Sequence, residues 1–269
     1  MSSLSATLSD SVVITKRNLI KVKRVPDLIV FATLSPIMFV VLFRYVFGGA
    51  IGGLPPGVSY AEFLLPGIFA QTVVFGATVT GVSVAEDLQK GLIDRFRSLP
   101  MSRAAVLVGR TVADAGLNVI SIAVMALTGL LVGWRINSSF GEAVAGFLLL
   151  LVFAYAISWL MAVVGLLVRT PEVVNNASFI VIFPLTFIAN TFVPQETFPA
   201  VLRTFAEWNP VSTVTLAARE LFGNLPAGYP EPEAWSLQNP VLYTLLWAAL
   251  ILLVFVPLSV RLYKRTASR

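Results

Sequence analysis

Six stretches of this sequence are apolar over the length of about 20 residues that a helix needs to cross the hydrocarbon core of a bilayer. The stretches are apolar on every face and do not alternate as barrel strands do, which favours helices. We therefore expect an all-α membrane protein with six transmembrane helices. The predicted spans are Leu28–Phe47, Phe63–Ala85, Ala104–Val132, Ala143–Val168, Val173–Val193 and Pro240–Leu262.

The composition narrows the chemistry that the chain can carry out. Only 12% of the residues are charged, about half the share in soluble proteins. The sequence contains no cysteine and no histidine, which excludes disulfides, thiolate or imidazole metal sites and catalysis by either residue. The acidic residues are too scattered for a paired acid–base site. We expect no metal site, no catalytic residue and no enzymatic activity in this chain.

The distribution of basic residues predicts the orientation in the membrane. Of the 19 lysine and arginine residues, 15 fall on one side if the six spans cross in turn. Only Arg44, Arg135, Arg203 and Arg219 fall on the other side. The positive-inside rule makes the rich side cytoplasmic, so both termini are expected in the cytoplasm. The net charge of +5 is explained in this way and does not require a nucleic-acid partner.

The segment before the first span is predicted to be a separate element, residues 1–25, ahead of a membrane domain over 26–269. Between Ser2 and Val25, apolar residues such as Leu4, Leu8 and Val12 can share one broad helical face, with lysines and arginines on the other. A helix of this kind lies in the membrane interface. The alternative is a frayed basic tail.

A compact block of mixed charge, "EDLQKGLIDRFRSLPMSR", separates spans two and three. We expect the second span to end near Ala85 and a short amphipathic helix to follow over 86–100, with Leu88, Leu92 and Phe96 on one face. Its charges are then available to a partner protein, or they only fix the topology. Physical reasoning leaves both alternatives open. The charged residues are Glu86, Asp87, Lys90, Asp94, Arg95 and Arg97.

Polar residues within the predicted spans are candidates for a transport pathway or a dimer seam. Asp114 and Asn118 repeat at helical spacing in span three, and the alternative for Asp114 is a local ion pair with Arg110. The ion pair is favoured, because Asp114 is expected barely one turn inside the membrane. In span five, an aromatic and amide-rich lining competes with ordinary interhelical hydrogen bonding. The candidates there are Asn176, Phe183, Pro184 and Asn190.

The outer segment Phe192–Gly223 is too broken to span a membrane and too apolar for a free loop. Its prolines divide it into short helices, and a hairpin over 194–223 that dips into the outer leaflet fits the pattern. Arg203 and Glu207 are spaced to pair on one helical face, and Trp208 follows them.

Several motifs resemble one family of membrane proteins. The stretch from "YAEFLLPGIFAQ" to "GRTVADA" is similar to the daunorubicin-resistance-type permeases of ABC type 2 exporters, and "FRYVFGGAI", "NTFVP", "WNPVS" and "AARELFG" match further parts. The resemblance covers essentially the whole chain. The block around Asp94–Pro100 is its most specific part.

The resemblance implies a fold and a set of partners. The N-terminal helix would be the family's connecting helix, and residues 86–100 its coupling helix, which docks on a separate ATP-binding subunit. The outer hairpin would close the exit. Two permease chains, identical or paralogous, would work with two ATP-binding subunits. The sequence holds no phosphate-binding G-x-x-x-x-G-K-[ST] run, so ATP and magnesium would be bound by the partner.

The expected function is that of a permease subunit in an ATP-driven exporter, which moves hydrophobic or amphipathic drugs or lipids out across the cytoplasmic membrane of a prokaryote. One alternative is a family member that exports a polysaccharide or glycolipid. Another is an ion-coupled secondary transporter, which would need a buried ionisable residue at the middle of the bilayer. Membrane lipid is an expected partner in each case.

Overall fold

The computed structural model describes residues 4–24, 27–48, 59–92, 103–168, 170–225 and 232–266. Within these ranges the regular elements are helices. A π-helical segment, Leu42–Phe47, continues α2, and a 3-10 turn, Gln195–Thr197, precedes α7. The α-helices are α1 Leu4–Arg24, α2 Asp27–Val41, α3 Tyr60–Gln89, α4 Arg103–Leu131, α5 Phe140–Leu167, α6 Pro171–Phe187, α7 Ala200–Trp208, α8 Pro210–Leu221, α9 Trp235–Gln238 and α10 Pro240–Thr266.

Four helices of the described residues, α3, α4, α5 and α10, are long and apolar enough to cross a membrane. They coincide with predicted spans two, three, four and six. Predicted span one matches α2 with its π-helical continuation, and predicted span five matches α6. Both α6 and the apolar stretch Thr33–Phe47 are shorter than a full span.

The prediction that the fifth span reaches Val193 was wrong, because α6 ends at Phe187. The side-chain amide of Asn209 donates hydrogen bonds to the carbonyl oxygens of Leu185, at 2.7 Å, and Ile188, at 3.1 Å. Carbonyl groups at a helix end have no partner within the helix. Asn209 supplies one, so the chain can leave the helix at this point.

Helix α3 lies at the centre of the bundle: 72% of the residues in its most apolar stretch are buried. A capping box between Ser59 and Glu62 starts it. Further along, α3 meets α5 backbone to backbone: a Cβ atom on Gly165 would lie only 2.3 Å from the carbonyl oxygen of Gly81. The two glycines therefore permit an approach that any larger residue would prevent.

Helix α1 packs along α4 through a narrow strip of its surface. The Thr15 hydroxyl donates to the Gly109 carbonyl oxygen at 3.1 Å, and Ile14 is buried against the same glycine. Val12 and Leu19, from the predicted apolar face, are 66% and 39% exposed. Val12 is thus largely free of packing, whereas Leu19 also reaches Gly116 of α4.

The start of the predicted coupling helix differs from the expectation. Helix α3 continues to Gln89, so Glu86, Asp87 and Leu88 belong to its last turn. It ends where Gly91 adopts a positive φ of 63°, a conformation that glycine tolerates, and where the Gly91 amide donates to the Leu88 carbonyl at 3.0 Å. Leu88 and Leu92 therefore do not share a helix.

The remaining members of the coupling block, Asp94, Arg95 and Arg97, lie outside the described residues, as does Phe96.

The outer segment forms short helices that its prolines separate. Pro194 and Pro199 precede the 3-10 turn and α7, and Pro210 begins α8. The predicted ion pair is present on α7, with 3.0 Å between Arg203 Nε and Glu207 Oε1. Trp208 is half exposed. Helix α8 is buried over most of its length, which places it inside the bundle although it is too short to span.

Candidate functional site

A row of phenylalanine rings connects α6 with α2. Phe179, Phe183 and Phe187 are spaced by four residues, which puts them on one face of α6. Their centroids are 5.1 and 4.1 Å apart. The row continues through Phe192, 4.9 Å from Phe187, to Phe43, 4.3 Å from Phe192. Contiguous rings of this kind form an extended surface that binds apolar and planar groups.

The three rings on α6 border a cavity of about 350 Å³ between α2, α3 and α6, which we call the aromatic cleft. Its volume is at the lower end of the range typical of ligand-binding pockets. The walls are mostly apolar, with a few hydroxyl and amide groups. The lining residues are Ser35, Pro36, Phe39, Gln71, Thr72, Phe75, Gly76, Thr78, Val79, Ser121, Phe179, Phe183 and Phe187.

A second cavity, of about 290 Å³, adjoins the aromatic cleft and extends towards the end of α3 that carries Glu86. We call it the polar cavity. Gly76, Thr78, Val79 and Ser121 line both spaces, so a continuous wall runs from one to the other. Both spaces are partly open, since Phe179 in the first and Asn175 in the second are exposed. The polar cavity is distinguished by its charged and amide side chains. These are Asn18, Glu86, Arg110, Asp114, Asn118 and Asn175.

Asp114 pairs with Arg110 as predicted, with 3.4 Å between Arg110 Nε and Asp114 Oδ2. The pair is buried inside the bundle, where Asp114 is only 3% exposed. Its Oδ2 atom also accepts a hydrogen bond of 2.7 Å from the hydroxyl of Thr80 on α3. The ion pair thus joins α3 to α4 at the edge of the polar cavity.

The other candidates from spans three and five are only partly brought together. Asn118 lines the polar cavity and Phe183 lines the aromatic cleft. Asn176 and Pro184 are exposed on α6 and line neither space, whereas Asn175, next to Asn176, does line the polar cavity. Asn190 lies in the turn after α6, where its backbone N–H donates to the hydroxyl of Ser212 at 3.3 Å.

Arg219 on α8 joins three segments at one end of the bundle. The sequence analysis did not identify this role. Its side chain is buried, and Nε donates to the Phe63 carbonyl at 2.9 Å. Nη2 donates to the carbonyls of Asn190, at 2.6 Å, and Thr191, at 3.3 Å. The guanidinium also lies 3.7 Å from the centre of the Phe63 ring. The start of α3, the turn after α6 and α8 thus share one anchor.

The sequence contains a signal for this role. Arg219 follows a run of small and apolar residues, "VSTVTLAA", on a segment too apolar to lie free in water. An arginine in such a setting needs buried hydrogen-bond acceptors, and backbone carbonyls at helix ends are the nearest supply.

A cleft between apolar helices is compatible with a membrane permease. The chain belongs to the ABC-2 type transporter family, whose model matches residues 11–222. It is therefore a membrane protein of the permease class. It is 35% identical to the daunorubicin resistance ABC transporter permease protein DrrB1 of Streptomyces coeruleorubidus over 248 residues, which cover 92% of this chain and 83% of that protein. It is 24% identical to the probable doxorubicin resistance ABC transporter permease protein DrrC of Mycobacterium tuberculosis over 241 residues, with 89% and 83% covered.

Proposed function

We propose that this chain is the permease subunit of an ATP-driven exporter that moves hydrophobic or amphipathic molecules out across the cytoplasmic membrane of a prokaryote. The observation that carries the proposal is the continuous surface from the polar cavity to the aromatic cleft. A molecule with a polar end and an apolar body is complementary to such a surface. The family membership and the resistance permeases among its relatives support the export direction.

In this proposal the chain has six spans, with α2 and α6 as the first and fifth. The short apolar length of α6 is compatible with a span where neighbouring segments cover its ends. Residues 1–25 form the interfacial connecting helix, and 194–223 the outer re-entrant hairpin. Both termini face the cytoplasm, in accordance with the positive-inside rule.

A separate ATP-binding subunit, in two copies, would supply the energy and would hold the ATP and magnesium. Its proposed docking element, the coupling segment, is the last turn of α3, which carries Glu86 and Asp87, together with the residues that follow it up to Pro100. Glu86 and Asp87 end α3, so a displacement of the segment would act directly on the helix that borders both cavities. The second permease chain, identical or paralogous, would meet this one along α2 and α6. Met38, at 59% exposure, and Ile180, at 72%, are apolar residues available on those helices.

Charge reversal in the coupling segment tests the docking role. We expect the double variant Asp94→Arg with Arg97→Glu to lose cargo-stimulated ATPase activity while the chain still inserts into the membrane, because complementary charges select the partner surface. The measurement is ATPase activity of the co-expressed complex in nanodiscs, together with the yield of the ATP-binding subunit that co-purifies with a tagged permease.

A matched control exchanges charges elsewhere. Glu172→Arg with Lys264→Glu also preserves the net charge, at two exposed positions outside the coupling segment, and is expected to couple normally. Normal stimulation in the Asp94/Arg97 variant would contradict the docking role. A native chain that brings down no ATP-binding subunit in mild detergent would contradict the exporter itself.

Drugs and lipids are the favoured cargo, because the phenylalanine row offers a wide apolar surface and little hydrogen bonding. A polysaccharide or glycolipid exporter stays as the alternative, to be separated by the compounds that stimulate the ATPase. The ion-coupled alternative has no support from the family. An ion-coupled transporter would need a buried carboxylate. Asp114 is such a group, but its charge is balanced by Arg110.

The double variant Phe183→Ala with Phe187→Ala tests the cleft. Each ring contributes about 1 kcal/mol of aromatic contact beyond its area, so we expect the concentration of cargo for half-maximal ATPase stimulation to rise about 10- to 30-fold. Phe205→Ala, at an exposed position on α7, is the control and should leave that concentration unchanged. An equal response of the two variants would exclude the cleft as the binding surface.

A further inference from the structure

The polar cavity has features that export of an apolar molecule does not explain. Four helices contribute to it: Asn18 comes from α1, Glu86 from α3, Asn118 from α4 and Asn175 from α6. Its volume of about 290 Å³ is suited to one compact chemical group, since complete drug-sized ligands generally occupy larger pockets. The cavity is lined by amides and is partly open on the side of Asn175, which is exposed, so a ligand that binds there has to match its polarity.

The charges of the cavity are already balanced among the described residues. Asp114 is paired with Arg110 at 3.4 Å, and Glu86 with Lys90 at 3.1 Å. The Thr80 hydroxyl donates a further hydrogen bond to the Asp114 carboxylate. A ligand ion of either sign would therefore have to compete with an existing partner, at a cost in desolvation.

Two side-chain amides in the cavity have unused hydrogen-bonding capacity. Asn18 and Asn118 are 6% and 3% exposed. Within the described part of the chain, Asn18 Oδ1 and Asn118 Nδ2 have no hydrogen-bond partner. A buried polar atom without a partner is costly, and a bound group that pairs with it recovers that cost. Whichever way each amide is oriented, one polar atom on each side chain is free to bind.

We propose that the polar cavity binds the uncharged, hydrogen-bonding end of the cargo, such as a sugar or polyol group, while the apolar part of the same molecule lies in the aromatic cleft. Such a group presents donors and acceptors together, which suits the two amides that α1 and α4 contribute. The shared wall at Gly76, Thr78, Val79 and Ser121 allows one molecule to occupy both spaces. This inference rests on the proposed export function and specifies its substrate class.

The test compares three amphiphiles with the same alkyl chain: dodecyl β-D-glucoside, dodecyltrimethylammonium and dodecyl phosphate. Equilibrium binding is measured on the full chain in phosphatidylcholine nanodiscs, with empty nanodiscs subtracted. We expect the glucoside to bind about tenfold more tightly than either ionic probe. Asn118→Leu and, independently, Asn18→Leu should each remove most of that preference.

Gln238→Leu removes an exposed amide on α9 and should bind as the native chain does. Tighter binding of an ionic probe, or an unchanged glucoside preference in both asparagine variants, would overturn the inference. Because Asn18 and Asn118 lie on different helices, misfolding of one variant does not remove the test. Binding is measured without ATP or the ATP-binding subunit, so selective binding together with a failed coupling test would reject the exporter and keep the site.

Discussion

Replacing Arg219 with methionine is expected to lower the free energy of unfolding by about 3 kcal/mol or more, since each buried carbonyl that loses its donor costs at least about 1 kcal/mol. The variant removes hydrogen bonds to Phe63, Asn190 and Thr191 as well as the stacking on the Phe63 ring. Methionine fills much of the space but supplies no donor. The measurement is the denaturation midpoint of the purified chain in detergent.

Two further variants make this expectation specific. Arg219→Lys keeps the charge but loses the planar fork that reaches several carbonyls at once, and should fall between the native chain and the methionine variant. Arg203→Met removes a partly exposed arginine that pairs with Glu207, and should cost under about 1 kcal/mol. Equal midpoints for Arg219→Met and Arg203→Met would show that the buried arginine is not an anchor.

Replacing Gly76 with leucine is expected to lower the rate of transport by at least about tenfold, because the added side chain obstructs the junction of the two cavities. The chain should still fold, since overpacking against Asn118 costs about 1–3 kcal/mol of stability. Gly76 lies where the polar cavity meets the aromatic cleft, and a Cβ atom there would come within 2.3 Å of Asn118 Oδ1. The atom that must move belongs to a side chain, so the backbone can stay in place. Efflux of a fluorescent cargo from vesicles that contain the complete transporter measures the effect.

The control for this variant is Gly141→Leu on α5, where no atom lies within 4 Å of an added Cβ. It adds the same side chain at an exposed helical position and should transport normally. Transport at the native rate by a folded Gly76→Leu variant would mean that cargo does not pass the junction between the two cavities. Loss of folding would be visible in the same preparation as a lowered denaturation midpoint.

The long helices could be predicted from the sequence because the apolar length of a span is a local property. Predicted spans two, three, four and six differ from α3, α4, α5 and α10 by a few residues at each end. The end of α6 could not be predicted, because the amide that caps it comes from Asn209, 24 positions after Leu185. The start of the coupling segment was misplaced because α3 continues until Gly91 turns the chain.

The candidate site was less predictable than the fold, because its parts come from separate helices. The spacing of Phe179, Phe183 and Phe187 is visible in the sequence, but their proximity to Phe43 follows only from packing. The pairing of Asp114 with Arg110 could be predicted from their spacing, but the hydrogen bond that Asp114 accepts from Thr80 of α3 follows only from packing. The roles proposed for the candidate residues are still predictions.

The contact between Gly81 and Gly165 restricts how this chain can change shape. At Gly81 and Gly165 the two backbones touch and leave no room for a side chain between them, so close packing at this point would make α3 and α5 move as one body. A push on the end of α3 would therefore carry α5 with it and leave the α3 wall of both cavities intact. Widening of the pathway would then come from a displacement of α2 or α6 relative to that body.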